Sequence, residues 1–201
     1  MFWDKVASLY DFFETVYNGK CYKNLPLRVA DHIVGSDKVL ECACGTGIIT
    51  AAIARRCDEI IATDFSEGML KQAHKRCDKM QNVSIRKADI MQLPFEADTF
   101  DKVVAGNVIH LLDHPAEAMA ELVRVCRKGG QIIVPTYINI TVNGKASLAS
   151  RLLEMLGVSF KREFDQESYK TFFANMGYRQ VEYSVVEGRM PCAIAVITVE
   201  K

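Results

Sequence analysis

The sequence predicts an α/β fold in which a seven-stranded, mostly parallel sheet carries helices on both faces and one antiparallel strand in a C-terminal hairpin. Patterns typical of strands and of helices alternate along the chain, and this alternation builds a parallel sheet covered on both sides. The last two strand patterns, 180–187 and 192–200, are separated only by Gly188–Pro191. Because so short a connection makes a hairpin and not a crossover, one of these strands must run antiparallel to its neighbour.

The N-terminal segment is predicted to be helical. A helix over 3–17 is predicted because apolar residues recur at helical spacing, at positions 2, 6, 9, 13 and 16. A second helix is predicted at about 25–33. Acidic residues interrupt the apolar ones, so the segment lacks the continuous apolar core of a signal peptide. No apolar run approaches the roughly 20 residues of a membrane span, so we expect a cytoplasmic protein without stable membrane insertion.

The central elements follow in order. Short apolar runs predict strands at 38–42, 59–63, 83–87, 101–105 and 131–135. Helices are predicted between them, at 47–56, after the N-cap Ser66, and after His114, where Pro115 takes the first helical position. We expect Gly129-Gly130 to end this last helix, with Cys126 still on its buried face. Beyond the fifth strand, an apolar helix is predicted at 146–156, and Asp165 is expected to cap another helix that ends at Gly177.

Composition excludes several classes of function. The 25 basic residues balance the 25 acidic ones, so no excess charge favours a nucleic-acid partner. The seven cysteines are scattered, which is typical of reduced thiols. Cys42 and Cys44 have no second cysteine or histidine pair at zinc spacing, so we interpret them as packing residues and expect no metal.

Polar and glycine residues follow the first three strands. Gly45 and Gly47 lie between the first strand and its helix, where glycine lets the backbone approach a ligand. Asp64 ends the second strand, and a carboxylate there can accept both hydroxyls of a ribose. Asp89 ends the third strand. Because the carboxyl ends of parallel strands meet at one edge of the sheet, these residues predict a nucleoside site.

A dinucleotide is the rival ligand. Its glycine fingerprint needs a third glycine or alanine, and this chain has Thr50 in that place. No tyrosine is followed four residues later by lysine, so the short-chain dehydrogenase pair is absent. An NAD-dependent oxidoreductase is therefore the less favoured alternative.

Four motifs occur in the order of the predicted strands: VLECACGTG, IIATDFSEGML, KADIMQLPFEADTFDKVVAGNVIHLL and ELVRVCRKGGQIIV. Together they resemble the class I S-adenosylmethionine-dependent methyltransferases, most of all the small-molecule branch that includes the ubiquinone- and menaquinone-biosynthesis methyltransferases. The resemblance is close over 38–136 and looser through the terminal hairpin. It implies a Rossmann-like fold with S-adenosylmethionine as cofactor. We expect one methyltransferase domain over 1–201, with a helical cap over 1–35, a cofactor-binding core over 36–136, and substrate-side helices and the hairpin over 137–201.

The resemblance assigns the cofactor-binding residues. Glu41 would contact the methionine amino group, Asp64 would hold the ribose hydroxyls, and Asn107 would face the sulfonium with its backbone. The other residues that it places against the cofactor are Ala43, Gly45, Thr46, Gly47, Phe65, Met69, Asp89 and Ile90. Ala43 departs from the family, which usually has glycine there, and we expect this change to tighten the turn without abolishing binding.

Two residues are candidates for catalysis. His110 lies three residues past Asn107, and an imidazole pKa near 6.5 suits a general base; the alternative is a histidine that orders the loop or packs. Tyr137 follows the fifth strand on the substrate side. The tyrosines of the N-terminal segment, which are candidates for covering the cofactor or for core packing, are Tyr10, Tyr17 and Tyr22.

The expected acceptor is a small, fairly apolar molecule. The N-terminal helices and residues 137–160 are rich in Phe, Tyr, Leu and Met and are expected to form its pocket. The N-terminal aromatic residues either pack in the core or contact a membrane that holds a lipid-like substrate. Two further alternatives stay open, namely polyamine synthesis from a decarboxylated cofactor and a non-catalytic, cofactor-binding regulatory protein.

Overall fold

The computed structural model describes residues 2–138, 141–142, 145–146 and 161–201. The strands in this part of the chain are β1 (Lys38–Cys42), β2 (Glu59–Asp64), β3 (Val83–Lys87), β4 (Phe100–Ala105), β5 (Cys126–Tyr137), β6 (Thr141–Val142), β7 (Lys145–Ala146), β8 (Val181–Val186) and β9 (Cys192–Thr198). Among the described residues, seven of these strands form the main sheet, in the order β3-β2-β1-β4-β5-β9-β8, and β6 pairs with β7 separately.

The pairing of the main sheet confirms the predicted topology. From β3 to β5 every neighbouring pair is parallel. Strand β9 is antiparallel to β5 on one side and to β8 on the other, as the short hairpin connection requires. Strands β2 and β3 lie on one side of β1, whereas β4 and β5 lie on its other side. The strand order therefore reverses at the β1–β4 pair. A crevice for ligands is expected at the carboxyl ends of these two strands.

Helices cover both faces of the sheet. They are α1 (Phe2–Ala30), α2 (Ile48–Ile53), α3 (Glu67–Cys77), α4 (Pro115–Val125) and α5 (Gln166–Asn175), with a short 3-10 helix over Ile109–Leu111. The first three pack on one face and α4 and α5 on the other, because alternate residues of each buried strand are apolar on both sides. None of the helices in the described ranges has the length and hydropathy that crossing a bilayer would require.

Helix α1 consists of two helical stretches that meet at a kink, in agreement with the two helices predicted for this segment, although the second begins before residue 25. The chain stays helical from Phe2 to Ala30 and is interrupted only at Asn18, whose φ is −122° and ψ is 27°. The Asn18 side chain, 1% exposed, donates to the carbonyl of Met190 at 2.9 Å and accepts from its N–H at 3.1 Å. The predicted end of the first helix at residue 17 agrees with this bend, whereas the distant β8–β9 turn that receives Asn18 could not be found from local periodicity.

The boundary between α4 and β5 was predicted wrongly. The helix ends at Val125, and Cys126 is extended and pairs with Phe100 as the first residue of β5. Gly130 is inside this strand and packs closely, since an added Cβ would lie 2.7 Å from the carbonyl oxygen of Asp101. Pairing with β4 thus wins over the helical pattern. The apolar helix predicted at 146–156 lies almost wholly outside the described residues.

Predicted helix caps are confirmed at two places. The Ser66 hydroxyl accepts the N–H of Met69 at 3.2 Å at the start of α3. At α5 the Asp165 carboxylate accepts the N–H of Ser168 at 2.7 Å, while the Ser168 hydroxyl accepts the N–H of Asp165 at 2.9 Å. These caps fix where both helices begin, and α3 begins directly beside the crevice.

Candidate active site

A cavity of about 340 Å³ lies at the carboxyl ends of β1, β2 and β4, at the reversal of strand order. Its volume is near the lower end of the roughly 300–1,000 Å³ usual for small-molecule sites. Ten of the predicted cofactor-binding residues line it: Glu41, Ala43, Gly45, Thr46, Asp64, Phe65, Met69, Asp89, Ile90 and Asn107. Tyr137 lines it as well, whereas Gly47 and His110 do not. The structure thus brings together most of the residues singled out from the sequence.

The loop after β1 uses a left-handed backbone at alternate residues. The φ angle is +55° at Ala43, +56° at Gly45 and +79° at Gly47. Gly47 forms the N-cap of α2 and packs against α3, where an added Cβ would lie 3.1 Å from the Cα of Ala73. Glycine takes this conformation without a steric penalty, but Ala43 takes it at a cost of roughly 1–2 kcal/mol. The loop therefore keeps its shape although one position carries a side chain.

Asp64 ties the end of β2 to this loop. Its Oδ2 accepts the N–H of Gly45 at 2.8 Å, and its Oδ1 accepts the N–H of Ser66 at 2.8 Å. Burial raises the pKa of the Asp64 carboxyl above its usual value. The two backbone donors hold the carboxylate in one orientation in the cavity wall, so it can present its remaining lone pairs to ligand hydroxyls.

Glu41 is a buried carboxyl group in the floor of the cavity. It is 1% exposed, and its Oε2 accepts the Thr50 hydroxyl at 2.5 Å. Burial raises its pKa to about 8. No basic side chain among the described residues forms an ion pair with it. A buried carboxylate is costly unless a charge or hydrogen-bond donors satisfy it, so this site favours a cationic ligand group.

The side of the cavity below β2 and β3 is more apolar. Met69 and Ile90 are buried there, and the ring of Phe65 lies at the rim with 51% of its surface exposed. Asp89 follows β3, and its Oδ1 accepts the N–H of Met91 at 2.9 Å. Apolar side chains beside one fixed carboxylate are suited to a flat heterocycle with a polar edge.

The opposite end of the cavity lies beyond β4 and β5. Asn107 has a φ of +51°, and its N–H donates to the carbonyl of Pro135 at 2.8 Å. Tyr137, two residues after Pro135, is 5% exposed and donates its hydroxyl to Oε2 of Glu14 at 3.0 Å. The predicted substrate-side tyrosine is therefore in the cavity wall, with its hydroxyl held by a carboxyl group of α1.

Helix α1 closes the cavity. The residues that line the cavity from this helix are Trp3, Tyr10, Tyr22, Leu25 and Pro26. Near its start, Asp4 accepts the Ser66 hydroxyl at 2.6 Å and the N–H of Gly68 at 2.9 Å, and these donors lower the pKa of Asp4 to about 2. Gly68 allows this approach, since a Cβ there would lie 2.6 Å from the Cα of Asp4.

A second carboxylate of α1 binds the loop itself. Asp11 accepts the hydroxyls of Thr46 at 2.6 Å and of Tyr22 at 2.5 Å, and it forms an ion pair with Arg76. Arg76 also donates from Nε to the carbonyl of Thr46 at 2.9 Å. Asp4 and Asp11 therefore fasten α1 over α3 and over the loop after β1.

His110 is not part of the cavity wall. It lies in the 3-10 helix with 2% of its surface exposed, and burial lowers its pKa to about 4. Its neighbours in the sequence, Val108 and Leu111, do line the cavity. The imidazole is thus separated from the other site residues, and its role as a general base stays a prediction.

Sequence analysis missed three acidic residues, Asp4, Asp11 and Glu14, which all contact site elements. The available signal was that these acids interrupt the apolar pattern of an amphipathic helix. Only a pattern of partners across the fold could assign them, because Ser66, Thr46 and Tyr137 are distant in the sequence.

The cysteines lie within the core. All seven are unpaired thiols and are buried. Burial raises the pKa of Cys42 to about 12, and the pKa of Cys44 well above its usual value. In the described part of the chain, no group of three or more His, Cys, Asp or Glu side chains could hold a metal ion.

Known proteins resemble this chain over most of its length. A family model described as a methyltransferase domain matches residues 40–134. The demethylmenaquinone methyltransferase of Clavibacter sepedonicus is 28% identical, over 90% of this chain and 82% of that protein. The phosphatidylethanolamine N-methyltransferase of Cereibacter sphaeroides is 31% identical, over 71% of this chain and 68% of that protein.

A solved structure shares the fold. It is a Thermotoga maritima protein described as a SAM-dependent methyltransferase and possible histamine N-methyltransferase, and it superposes with a TM-score of 0.73 at 19% identity over 98% of both chains. That likeness concerns the fold alone. With its strand order and its glycine loop, the chain belongs to the class I S-adenosylmethionine-dependent methyltransferases.

Proposed function

We propose that the cavity binds S-adenosylmethionine and that the protein transfers the methyl group to a small, fairly apolar molecule. One observation carries this proposal: Glu41 and Asp64 share a single cavity with the left-handed loop after β1. A buried carboxyl group without a basic partner suits an ammonium group, and a half-buried carboxylate held by backbone donors suits a ribose diol. Glu41 therefore suits the amino group of the methionine portion, and Asp64 suits the hydroxyls of the ribose portion.

Each cofactor portion has its own set of residues in this proposal. Glu41 binds the amino group and Asp64 the ribose hydroxyls, while the backbone of Asn107 faces the sulfonium. Three residues of the loop surround the methionine portion: Ala43, Gly45 and Thr46. Gly47, which does not line the cavity, supports the loop from behind through its left-handed backbone. The adenine lies among Phe65, Met69, Asp89 and Ile90.

The protein's part in the reaction is mainly to position the acceptor. When bound, the cofactor supplies a methyl group that its sulfonium already activates for in-line displacement. Holding a nucleophile in line with that methyl group contributes roughly 7–11 kcal/mol. Of the two candidate catalytic residues, Tyr137 faces the cavity and His110 does not, so we propose Tyr137 as the residue on the acceptor side.

The walls favour an apolar acceptor. From α1 the cavity receives Trp3, Leu25 and Pro26, and from the segment after β4 it receives Leu111 and Leu112. The names of two relatives, demethylmenaquinone methyltransferase and phosphatidylethanolamine N-methyltransferase, refer to lipid-like acceptors, in agreement with such walls. Residues 147–160, which were expected to complete the pocket, lie outside the described part of the chain.

Calorimetry with the cofactor, its product S-adenosylhomocysteine and NAD tests the proposal. We expect the first two to bind and NAD not to bind. Asp64→Ala should weaken binding of S-adenosylhomocysteine at least tenfold, because one charge-assisted hydrogen bond contributes roughly 1.5–3 kcal/mol. The control is Asp58→Ala, an exposed aspartate at the opposite end of β2, which should leave the affinity unchanged. Binding of NAD in preference to S-adenosylmethionine would overturn the proposal.

A further inference from the structure

A buried carboxyl group lies directly behind the acceptor end of the cavity. Glu14, on α1, is 1% exposed and does not line the cavity. The Tyr137 hydroxyl donates to its Oε2 at 3.0 Å, and Tyr10 also forms a hydrogen bond with the carboxyl group. Both tyrosines line the cavity. Glu14 is therefore connected to the cavity through two phenol groups.

The fold does not need a carboxyl group at this position. Helix α1 is already fastened by Asp4, Asp11 and Asn18. A glutamine would fill the same space and would accept a hydrogen bond through its amide oxygen, without the cost of burying an ionisable group. Among the described residues, no basic side chain forms an ion pair with Glu14. An ionisable group retained in this place is suited to moving a proton.

Tyr137 lies beside the part of the cavity where we expect the acceptor. The carbonyl of Pro135 accepts the N–H of Asn107, so the ends of β4 and β5 are in contact two residues before Tyr137. The Cys192 thiol, which is 3.7 Å from Oδ1 of Asn107, belongs to the residue paired with Tyr137 in the sheet. If the cofactor's sulfonium faces Asn107, as the proposed function has it, an acceptor in line with the methyl group lies beside Tyr137.

Resting on that proposed function, we propose that Tyr137 and Glu14 form a proton relay for an aromatic acceptor that carries a hydroxyl group, with Tyr10 as a second hydrogen-bond partner of Glu14. Tyr137 touches the acceptor and is the catalytic residue, and Glu14 acts through it. A neutral hydroxyl is a weak nucleophile that gains from a base, whereas a neutral amine does not need one. The rings of Trp3, Tyr10 and Tyr22 in the cavity wall are suited to packing against an aromatic acceptor.

The relay balances protons, electrons and charge. The acceptor's hydroxyl proton passes to the Tyr137 oxygen while the Tyr137 proton passes to the Glu14 carboxylate. A lone pair of the acceptor oxygen forms the bond to the methyl carbon, and the electrons of the broken sulfur–carbon bond stay on sulfur. The positive sulfonium and the negative carboxylate are thus neutralised together, and the proton leaves Glu14 to solvent after the products dissociate.

The pH dependence follows from the groups around Glu14. Burial raises its pKa to about 7, and the charge of Asp11 on the same helix adds to this effect, while hydrogen bonds from Tyr137 on β5 and Tyr10 on α1 oppose it. Cys21 and Cys192 are the other titratable groups near Tyr137. Because the relay needs ionised Glu14, the rate with a hydroxyl acceptor should rise with pH through about 7.

Acceptors of different acidity test the relay. With 1-naphthol, which is protonated in solution at pH 7.5, Glu14→Gln and Tyr137→Phe should each lower kcat at least 100-fold and abolish the rise with pH. With 4-nitrophenol at pH 8.5, where it is ionised in solution, the same changes should lower kcat less than threefold. The matched control is Tyr22→Phe, whose hydroxyl donates to Asp11 and not to Glu14, so it should affect both acceptors by the same factor.

A second readout does not depend on turnover. In a Glu41→Gln background, which removes the other carboxyl group that loses its proton near neutral pH, infrared difference spectra should show the carbonyl band of protonated Glu14 disappearing between pH 6 and pH 8. Glu14→Gln should lack this band, and Tyr137→Phe should move its loss to higher pH, because the lost hydrogen bond favoured the ionised form. Titration of Glu14 below pH 5 would overturn the relay.

The outcomes separate the relay from the proposed function. Failure of the wild type to bind S-adenosylhomocysteine would overturn the proposed function. If S-adenosylhomocysteine binds normally, three results would overturn the relay and leave the proposed function intact. The variants could lower kcat by the same factor for both phenols, they could leave kcat unchanged, or the wild type could methylate neither phenol.

Discussion

Glu41 shows how one residue can couple ligand binding to protons. Its carboxyl group ends up in the floor of the cavity because β1 is buried on both faces and the side chain points to the crevice. Burial there raises the pKa to about 8, so the group is mostly protonated at neutral pH. A cationic ligand group would reverse this preference, because a nearby positive charge favours the ionised carboxylate.

We expect S-adenosylmethionine to release about one proton when it binds at pH 7. The sign follows from the raised pKa: the unliganded group carries a proton that the complex, with an ammonium group beside Glu41, does not. Affinity should therefore rise with pH up to about 8. Calorimetry in buffers with different ionisation enthalpies measures the released proton. Glu41→Gln should lose the release and Asp64→Ala should keep it, and a release that persists in Glu41→Gln would contradict this account.

The sequence allowed some residues of the site to be predicted and others not. Asp64 and Asp89 could be placed because strand periodicity marks where β2 and β3 end, and parallel strands end at one edge of the sheet. His110 could not be placed in the same way. A 3-10 turn follows Asn107, and the direction of a side chain in such a turn depends on packing that a linear pattern does not encode.

Among the elements, α1 has the largest effect on access to the site. It covers the cavity and is fastened through Asp4 to the start of α3 and through Asp11 to the loop after β1. Both fastenings are carboxylates that accept several hydrogen bonds, so each is stronger than one exposed ion pair. We therefore expect exchange of a bound cofactor to become faster when α1 is less firmly attached to the loop.

Asp11→Asn should speed dissociation of S-adenosylhomocysteine about tenfold, because a charge-assisted hydrogen bond to a carboxylate contributes roughly 1.5–3 kcal/mol. The bound S-adenosylhomocysteine is displaced by excess S-adenosylmethionine in a stopped-flow instrument. The change in Trp3 fluorescence during the displacement measures the dissociation rate. The control is Asp31→Asn, which removes an exposed ion pair to Arg56 just beyond the end of α1. Equal dissociation rates in the two variants would show that Asp11 does not restrain the helix.

Elements with local signals were predicted well, and elements that depend on distant contacts were not. The hairpin and the antiparallel β9 follow from the shortness of a single connection, which is a local property. The early start of β5 depends on pairing with Phe100, and such a partner cannot be read from neighbouring residues. The start of α3 was also predicted correctly, because the N-cap Ser66 is a local signal in the sequence, as the short hairpin connection is.

At the scale of the whole molecule, two buried carboxyl groups make stability depend on pH. Burial raises the pKa of Glu14 to about 7 and that of Glu41 to about 8, from a usual value of 4.5. The unfolded chain ionises both groups at lower pH than the folded one, so the folded state binds more protons and stability falls as pH rises.

Between pH 6 and pH 8 the free energy of unfolding of the unliganded protein should fall by about 4 kcal/mol because of these two groups. Urea denaturation at both pH values measures the change. The double variant Glu14→Gln/Glu41→Gln should lose most of this dependence, since glutamine does not titrate. If the wild type and the double variant showed the same dependence, the two groups would ionise equally in both states.

The two hydrogen bonds between Asn18 and Met190, in the β8–β9 turn, join residues that are 172 positions apart. Asn18 leaves the ribosome 172 residues before Met190, whose carbonyl and N–H receive its side chain. Until the β8–β9 turn is synthesised, the inward face of this helix lacks its packing partner and is exposed to chaperones and to other nascent chains. The helix that covers the cavity therefore makes this contact only after the β8–β9 turn has been synthesised.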